Sequence, residues 1–138
     1  MISEETRILI SHRLAQAEEA LSDADFLLER GSHRATVNRA YYGMFYAILA
    51  LLHLLGKGTS KHSGAIALFD REFVRSGAFN KEFSRWLHEV FLDRQRSDYD
   101  ELVLVSRQEA AEALDHARRF VEQAKDYLAE HMGGLDNQ

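Results

Sequence analysis

Not one proline occurs among the 138 residues, and that omission bounds the fold more tightly than any motif does. Proline interrupts helices because its ring removes a backbone donor and collides with the preceding turn. A chain punctuated by glycine, serine and asparagine alone is free to run long helices, and its apolar residues recur at the spacing that helices require. Ile10, Leu14, Ala17, Leu21, Ala24 and Leu28 alternate steps of four and three, which predicts a helix from about Ser3 to Arg30, stopped by Gly31. Ser32 is placed to cap a second helix reaching Leu55, with Gly56 beyond its end. In it Val37, Tyr41, Met44, Ile48, Leu51 and Leu55 form one stripe, which Tyr42, Phe45, Leu49 and Leu52 widen around the cylinder. A helix so apolar belongs in the middle of a bundle. Gly43 costs that helix about 1 kcal/mol of propensity, for which a close approach by another helix is the natural compensation.

A loop over Gly56 to Ser60 leads into a short predicted helix at 61–75, ended by Ser76 and Gly77. Asn80 then caps a fourth helix carrying Phe83, Trp86, Leu87, Val90 and Phe91. The last begins at Ser106, where Ser106 and Glu109 match a capping box. Its stripe, Ala110, Leu114, Ala117, Val121, Ala124 and Leu128, repeats the spacing of the first helix, so the two are expected to pack antiparallel. The expected fold is all-α: an up-and-down bundle of about five helices in one domain over residues 1–132, followed by a frayed tail at 133–138.

Composition narrows the chemistry. The absence of cysteine excludes disulfides, thiolate nucleophiles and cysteine-bearing zinc sites together, and it suits a reducing compartment. The first residues lack the basic start and apolar run of a signal peptide. The longest apolar stretch, Met44 to Leu55, is interrupted by His53 and too short to cross a bilayer. The expectation is a cytoplasmic protein with no membrane partner. A net charge of -5 opposes bulk attraction to nucleic acid, yet residues 57–96 hold eight Lys and Arg against five Asp and Glu. Of the 17 basic residues 13 are Arg, whose planar fork suits phosphates and carboxylates. Ordinary surface ion pairs would account for the same pattern.

Two places break the binary pattern. Arg39 follows Asn38 in the most apolar helix, and Arg39, Tyr42, Tyr46, Leu49 and His53 fall at helical spacing, a polar stripe that should face one common neighbour. The bland account is an arginine paired with a carboxylate at the bundle edge. The second break is Arg94-Gln95-Arg96-Ser97-Asp98-Tyr99-Asp100. The stripe Phe83, Leu87, Val90 continues to position 94, so Arg94 points along the core-facing side, and Asp98, one turn on, can hold its guanidinium. Arg96 projects roughly opposite to Arg94 at the 100° per residue of a helix. Convergence of Arg39 and Arg94 would make a phosphate-sized anion pocket, and the candidate ligand set is Arg39, Tyr42, Arg94, Arg96 and Asp98. The residues three before the seven histidines are never glutamate, and no His-Glu-x-x-His occurs, so neither a metal nor a cofactor is expected.

These residues carry a resemblance. Arg39-Ala40-Tyr41-Tyr42-Gly43-Met44-Phe45-Tyr46, the turn Lys61-His62-Ser63-Gly64 with Phe69 and Phe73 after it, and Arg94 to Tyr99 resemble the HEPN superfamily (higher eukaryotes and prokaryotes nucleotide-binding), in an uncharacterised bacterial branch, over roughly residues 10–128. The resemblance implies a four- to five-helix bundle, usually a homodimer, often encoded beside a minimal nucleotidyltransferase in toxin and antitoxin pairs. Its active members are metal-independent ribonucleases whose signature is Arg, four to six residues, then His. Here Tyr99 stands five after Arg94, and Asp100 to Val103 follow Arg96 at the same reach. Tyrosine, with a pKa near 10, is a poor general base at neutral pH. His62 or His88 could replace the missing histidine if the fold brings one to Arg94. The resemblance also makes Tyr99 a candidate regulatory position for a partner nucleotidyltransferase; the plainer alternative is an aromatic that caps the helix end against the core. The leading expectation is a dimeric module binding a nucleotide or RNA phosphate. Its rivals are a ribonuclease toxin and a non-catalytic helical adaptor with the apolar excess of the second helix as its dimer seam.

Overall fold

The computed structural model describes residues 2–59, 61–99 and 102–132. Its helices are α1 (Glu4–Glu29), α2 (His33–Leu54), α3 (His62–Phe69), α4 (Lys81–Tyr99) and α5 (Arg107–His131), and among the described residues there is no strand. The all-α bundle is as expected. The tail anticipated at 133–138 lies outside the described residues.

Most helix ends follow from local chemistry. Ser3 Oγ accepts the Thr6 N–H at 3.0 Å to open α1, and Ser106 and Glu109 form both halves of the capping box on α5, at 3.0 and 3.3 Å. Gly31 takes a φ of 84° after α1, a left-handed turn that costs other residues more than glycine. Ser32 departs from expectation, since its side chain makes no capping bond. Its carbonyl instead accepts the Thr36 N–H at 3.0 Å and the Thr36 hydroxyl at 2.8 Å.

α2 is the central helix, with Val37, Tyr41, Met44, Ile48, Leu51 and Leu52 buried. Most of its apolar excess is therefore spent inside the protomer, while Tyr42, Tyr46 and Leu49 are only partly buried. Only Leu55, past the helix end, falls out of the stripe and is partly exposed. α1 packs tightly on α2 at Gly43, where a Cβ would stand 2.8 Å from Leu21 Cδ2, the close approach that was anticipated. α1 and α5 run antiparallel, pairing Asp25 with Arg118 at 2.7 Å and Glu18 with Lys125 at 3.2 Å.

The segment expected as one helix at 61–75 changes pitch. After α3 the backbone widens into a π turn at Asp70–Val74, in which the Arg75 N–H donates to the Asp70 carbonyl at 2.9 Å. Phe69 and Phe73 stay buried against Phe79, and Phe69 also meets Phe120 of α5. A second device fixes the end of α4. Arg34, at the start of α2, donates to the Ser97 and Val103 carbonyls, and His33 Nδ1 lies 3.2 Å from the Val105 carbonyl. The α1–α2 turn thereby holds the connection between α4 and α5, close to where Arg94 projects.

Candidate functional site

Arg94 interrupts the apolar face of α4, and helical geometry leaves its side chain nowhere to go but inward. The side chain is only 12% exposed. Its guanidinium carbon sits 4.8 Å from the Tyr41 ring centroid, 5.7 Å from Tyr42 and 5.9 Å from Phe91, an aromatic enclosure for a cation. One terminal nitrogen donates to the Tyr42 hydroxyl at 3.2 Å. Asp98, one turn along, lies 3.7 Å from Nε, an ion pair rather than a hydrogen bond, and the buried Nε has no hydrogen-bond partner.

Arg39 reaches the same tyrosine. Its guanidinium carbon is 4.8 Å from the Tyr42 ring centroid, while Nε and a terminal nitrogen both donate to Asn38 Oδ1 at 3.2 and 3.0 Å. Tyr42 thus receives a cation from its own helix and another from α4. The polar stripe of α2 has no single neighbour: Arg39 and Tyr46 border a groove with Gln16, Glu19 and Asp23 of α1, and His53 borders a cavity with Arg13, whereas Tyr42 meets Arg94 of α4. Among the described residues no carboxylate ion-pairs with Arg39, so the pairing of the bland account is not made.

Arg96 is not part of this cluster. It lies 3.6 Å from Asp93 and 3.7 Å from Glu109, on the α5 side of α4, as the angular offset from Arg94 dictates. Tyr99, at the end of α4, is 83% exposed and does not pack against the core. The two histidines separate. His88 hydrogen-bonds Asp70 Oδ2 at 2.7 Å, and Ser84 donates to Asp70 Oδ1 at 2.7 Å, a local arrangement around the π turn. His62, at the first turn of α3, joins the arginine cluster: its Nδ1 is 2.8 Å from the Tyr41 hydroxyl, and its ring stacks on Phe45 at 4.0 Å.

Tyr41 is the residue that sequence reasoning undervalued. It reads as one member of an apolar stripe and it is fully buried, yet it carries Arg94 against its ring and His62 on its hydroxyl. Burial raises the Tyr41 pKa well above that of free tyrosine, against the opposing pull of Arg94, so the group is a neutral phenol that can either donate or accept. Burial first and the Arg94 charge second hold His62 below its ordinary value near 6.5, and burial and Arg13 do the same for His53. Both imidazoles are neutral in the folded protein at pH 7.

The sign of the resulting pH dependence is fixed. Between the depressed folded values and 6.5 the unfolded chain binds more protons at these histidines, so their contribution to stability is lost as pH falls through that window. Urea midpoints measured at pH 7.5 and 5.5 should drop on acidification, and the drop should shrink in His53→Gln and in His62→Gln. Equal drops in wild type and both variants would contradict this assignment.

Among the described residues, no group of three or more His, Cys, Asp or Glu side chains is placed to hold a metal ion. No described helix is long and apolar enough to cross a membrane.

The model of the HEPN domain matches residues 10–127. The chain is 38% identical over 114 residues to a UPF0332 protein of Thermotoga maritima, covering 83% of this chain and 86% of that one. It is 31% identical over 130 residues to a Methanocaldococcus jannaschii protein named "Putative toxin", covering 94% of this chain and 96% of that one. A second protein of the same organism and the same description is 30% identical over 115 residues, covering 83% of this chain and 78% of that one. The matched span contains Arg39, Tyr41, Tyr42, His62 and Arg94.

Proposed function

The chain belongs to the HEPN domain family, and on that premise we propose that it is a toxin-related, dimeric module that binds a nucleotide or an RNA phosphate beside Tyr42. The observation that carries this reading is the meeting of Arg39 and Arg94 on one phenol ring, with a buried Arg94 nitrogen still lacking a hydrogen-bond partner. A guanidinium held by aromatic faces keeps its edge for an anion, and burial strengthens what that edge can do. The names of the Methanocaldococcus relatives support the toxin context. For assembly as a dimer, Leu92 at 61% and Leu104 at 89% exposure offer apolar surface. A partner minimal nucleotidyltransferase would find Tyr99 exposed for modification. The compartment in this reading is the cytoplasm.

A second reading has one observation in its favour. The fold brings His62, not His88, to the arginine cluster. A ribonuclease would use neutral His62 to take the proton of a ribose 2′-hydroxyl while Arg94 supports the negative charge gathering on the phosphate. That role needs the tautomer in which Nδ1–H donates to the Tyr41 oxygen and Nε2 is the acceptor.

Fluorescence anisotropy with a labelled oligoribonucleotide in chelator, followed by gel analysis of the same samples, separates the readings. Binding without cleavage is expected, with Arg94→Lys weaker by about tenfold or more, because the lysine cannot reproduce the fork. Cleavage that disappears in His62→Gln would transfer the chain to the ribonuclease reading. Equal binding by wild type and Arg94→Lys would remove the cluster from consideration.

A further inference from the structure

We propose that the chain carries a second anion site, apart from the Arg94 enclosure: a cavity between α1, the end of α2 and the loop into α3 that takes the phosphate of a small phosphomonoester. The cavity has a volume of about 280 Å³ and is bordered by Arg13, His53, Lys57, Thr59 and His62 on its polar sides, with Phe45, Leu49 and Leu52 as its apolar wall. Among the described residues, no acidic side chain borders it. In a chain of net charge -5 that is a local inversion of sign, and it places two permanent cations around one small space.

The charge on the cavity wall is not cancelled from within the chain. Among the described residues no carboxylate pairs with Arg13, whose one hydrogen bond is to the Gln16 amide oxygen at 2.9 Å. Lys57 lies 3.4 Å from Glu72, but Arg71 takes the same carboxylate at 3.0 Å, so Lys57 shares its one counter-charge. Arg13 Nε and His53 Nε2 are enclosed behind the wall without hydrogen-bond partners, which leaves the terminal nitrogens of Arg13 as its means of contact with an anion. His53 is neutral, because burial and the adjacent Arg13 oppose its protonation, and it adds no third charge.

The donor set selects the ligand. A guanidinium fork, an ammonium, an imidazole N–H and a hydroxyl match the several oxygens of a phosphate better than the two of a carboxylate. The volume falls just below the range of about 300–1,000 Å³ typical of drug-sized ligands, and the Phe45, Leu49 and Leu52 wall suits a compact body attached to the phosphate. A free nucleoside monophosphate and the phosphorylated end of an RNA share this chemistry. Arg94 does not border the cavity, whereas His62 and Phe45 are common to both sites, so the two are told apart by the arginines and Lys57 and not by His62.

Calorimetric titration of the full chain with inorganic phosphate, adenosine 5′-monophosphate and adenosine provides the test, together with tetraribonucleotides bearing a 5′-phosphate or a 5′-hydroxyl. Phosphate and the monophosphate should bind and adenosine should not. In the Arg94→Lys background, which removes the site proposed above, phosphate and the monophosphate should still bind, and adding Arg13→Gln, His53→Gln or the rim change Lys57→Met should each weaken that remaining binding, the first by about tenfold or more. Preference for the 5′-phosphorylated tetranucleotide over the monophosphate identifies an RNA end as the source, and the reverse identifies the free nucleotide. Failure of both phosphate and the monophosphate to bind wild type overturns the site, as does unchanged affinity in correctly folded Arg13→Gln and Lys57→Met made in the Arg94→Lys background.

Discussion

Replacing Tyr41 with alanine is expected to lower the free energy of unfolding by about 3–5 kcal/mol, the cost of emptying a fully enclosed aromatic position. The ring is completely buried and makes contacts with Tyr42, Phe45, His62 and Phe91. It is also the nearest of the three rings to the Arg94 guanidinium, at 4.8 Å. Alanine therefore opens a cavity and strips a nearly buried cation of its closest aromatic face in one step, which sets the loss toward the upper end of that range. Tyr41→Phe separates the contributions. It keeps the ring beneath Arg94 and removes the hydroxyl that His62 Nδ1 meets at 2.8 Å, so about 1–2 kcal/mol should go with the hydrogen bond alone. Urea unfolding at pH 7.5 measures both. A loss below about 1 kcal/mol for alanine would show that the enclosure is looser than these distances imply.

Arg94 was legible in the sequence because it sits where a rigid period demands an apolar residue, and its pairing with Asp98 needs only one turn of the same helix. Arg96 followed from the same angular argument. Gly43 was legible for a similar reason, since an unfavourable residue inside a strong helix implies a neighbour pressed against it. The partners of Tyr41 were not legible. His62 lies 21 positions away, beyond a loop whose path no local rule sets, and only that path brings an imidazole to the buried phenol. His53 stood out as one of a polar stripe, but Arg13 reads as an ordinary polar residue on its own helix, and their shared cavity exists only once α1 and α2 are docked. Arg34 reads as a surface residue at a helix start, although it bonds two carbonyls near the end of α4. The widening at Asp70–Val74 had no signal in a stretch with a good helical period, because it answers to the aromatic packing of Phe69, Phe73 and Phe79 rather than to propensity. Exposure of Tyr99 likewise depends on where the end of α4 meets its surroundings and not on residue type.

The docking of α1 on α2 is where stability and both proposed sites meet, and Gly43→Val should cost about 3 kcal/mol, at the top of the usual range for overpacking. A Cβ at position 43 would stand 2.8 Å from Leu21 Cδ2 and 3.2 Å from Leu21 Cγ, with the Ala17 carbonyl oxygen at 3.6 Å. Leu21 is buried at 8% exposure but also borders a cavity of about 360 Å³ beside α5, so an alanine at 43 can be met by a turn of its end, whereas valine asks more of it. For alanine the clash is partly offset by about 1 kcal/mol of regained helix propensity, so Gly43→Ala should lose far less than valine, whose branched carbon drives two methyl groups into the same contact. Relief then has to come from separating the helices. Such a shift would move Arg13 away from His53, and the carboxylates of Glu19 and Asp23 away from Arg39, since all three α1–α2 pairs depend on that spacing. Thermal and urea unfolding of the glycine, alanine and valine proteins measure the cost. Trimming the obstacle in a Gly43→Val, Leu21→Ala double variant should give a positive coupling, recovering part of the loss relative to the sum of the single changes. Strict additivity, or a valine protein as stable as wild type, would mean that α1 is not held against α2 at this point.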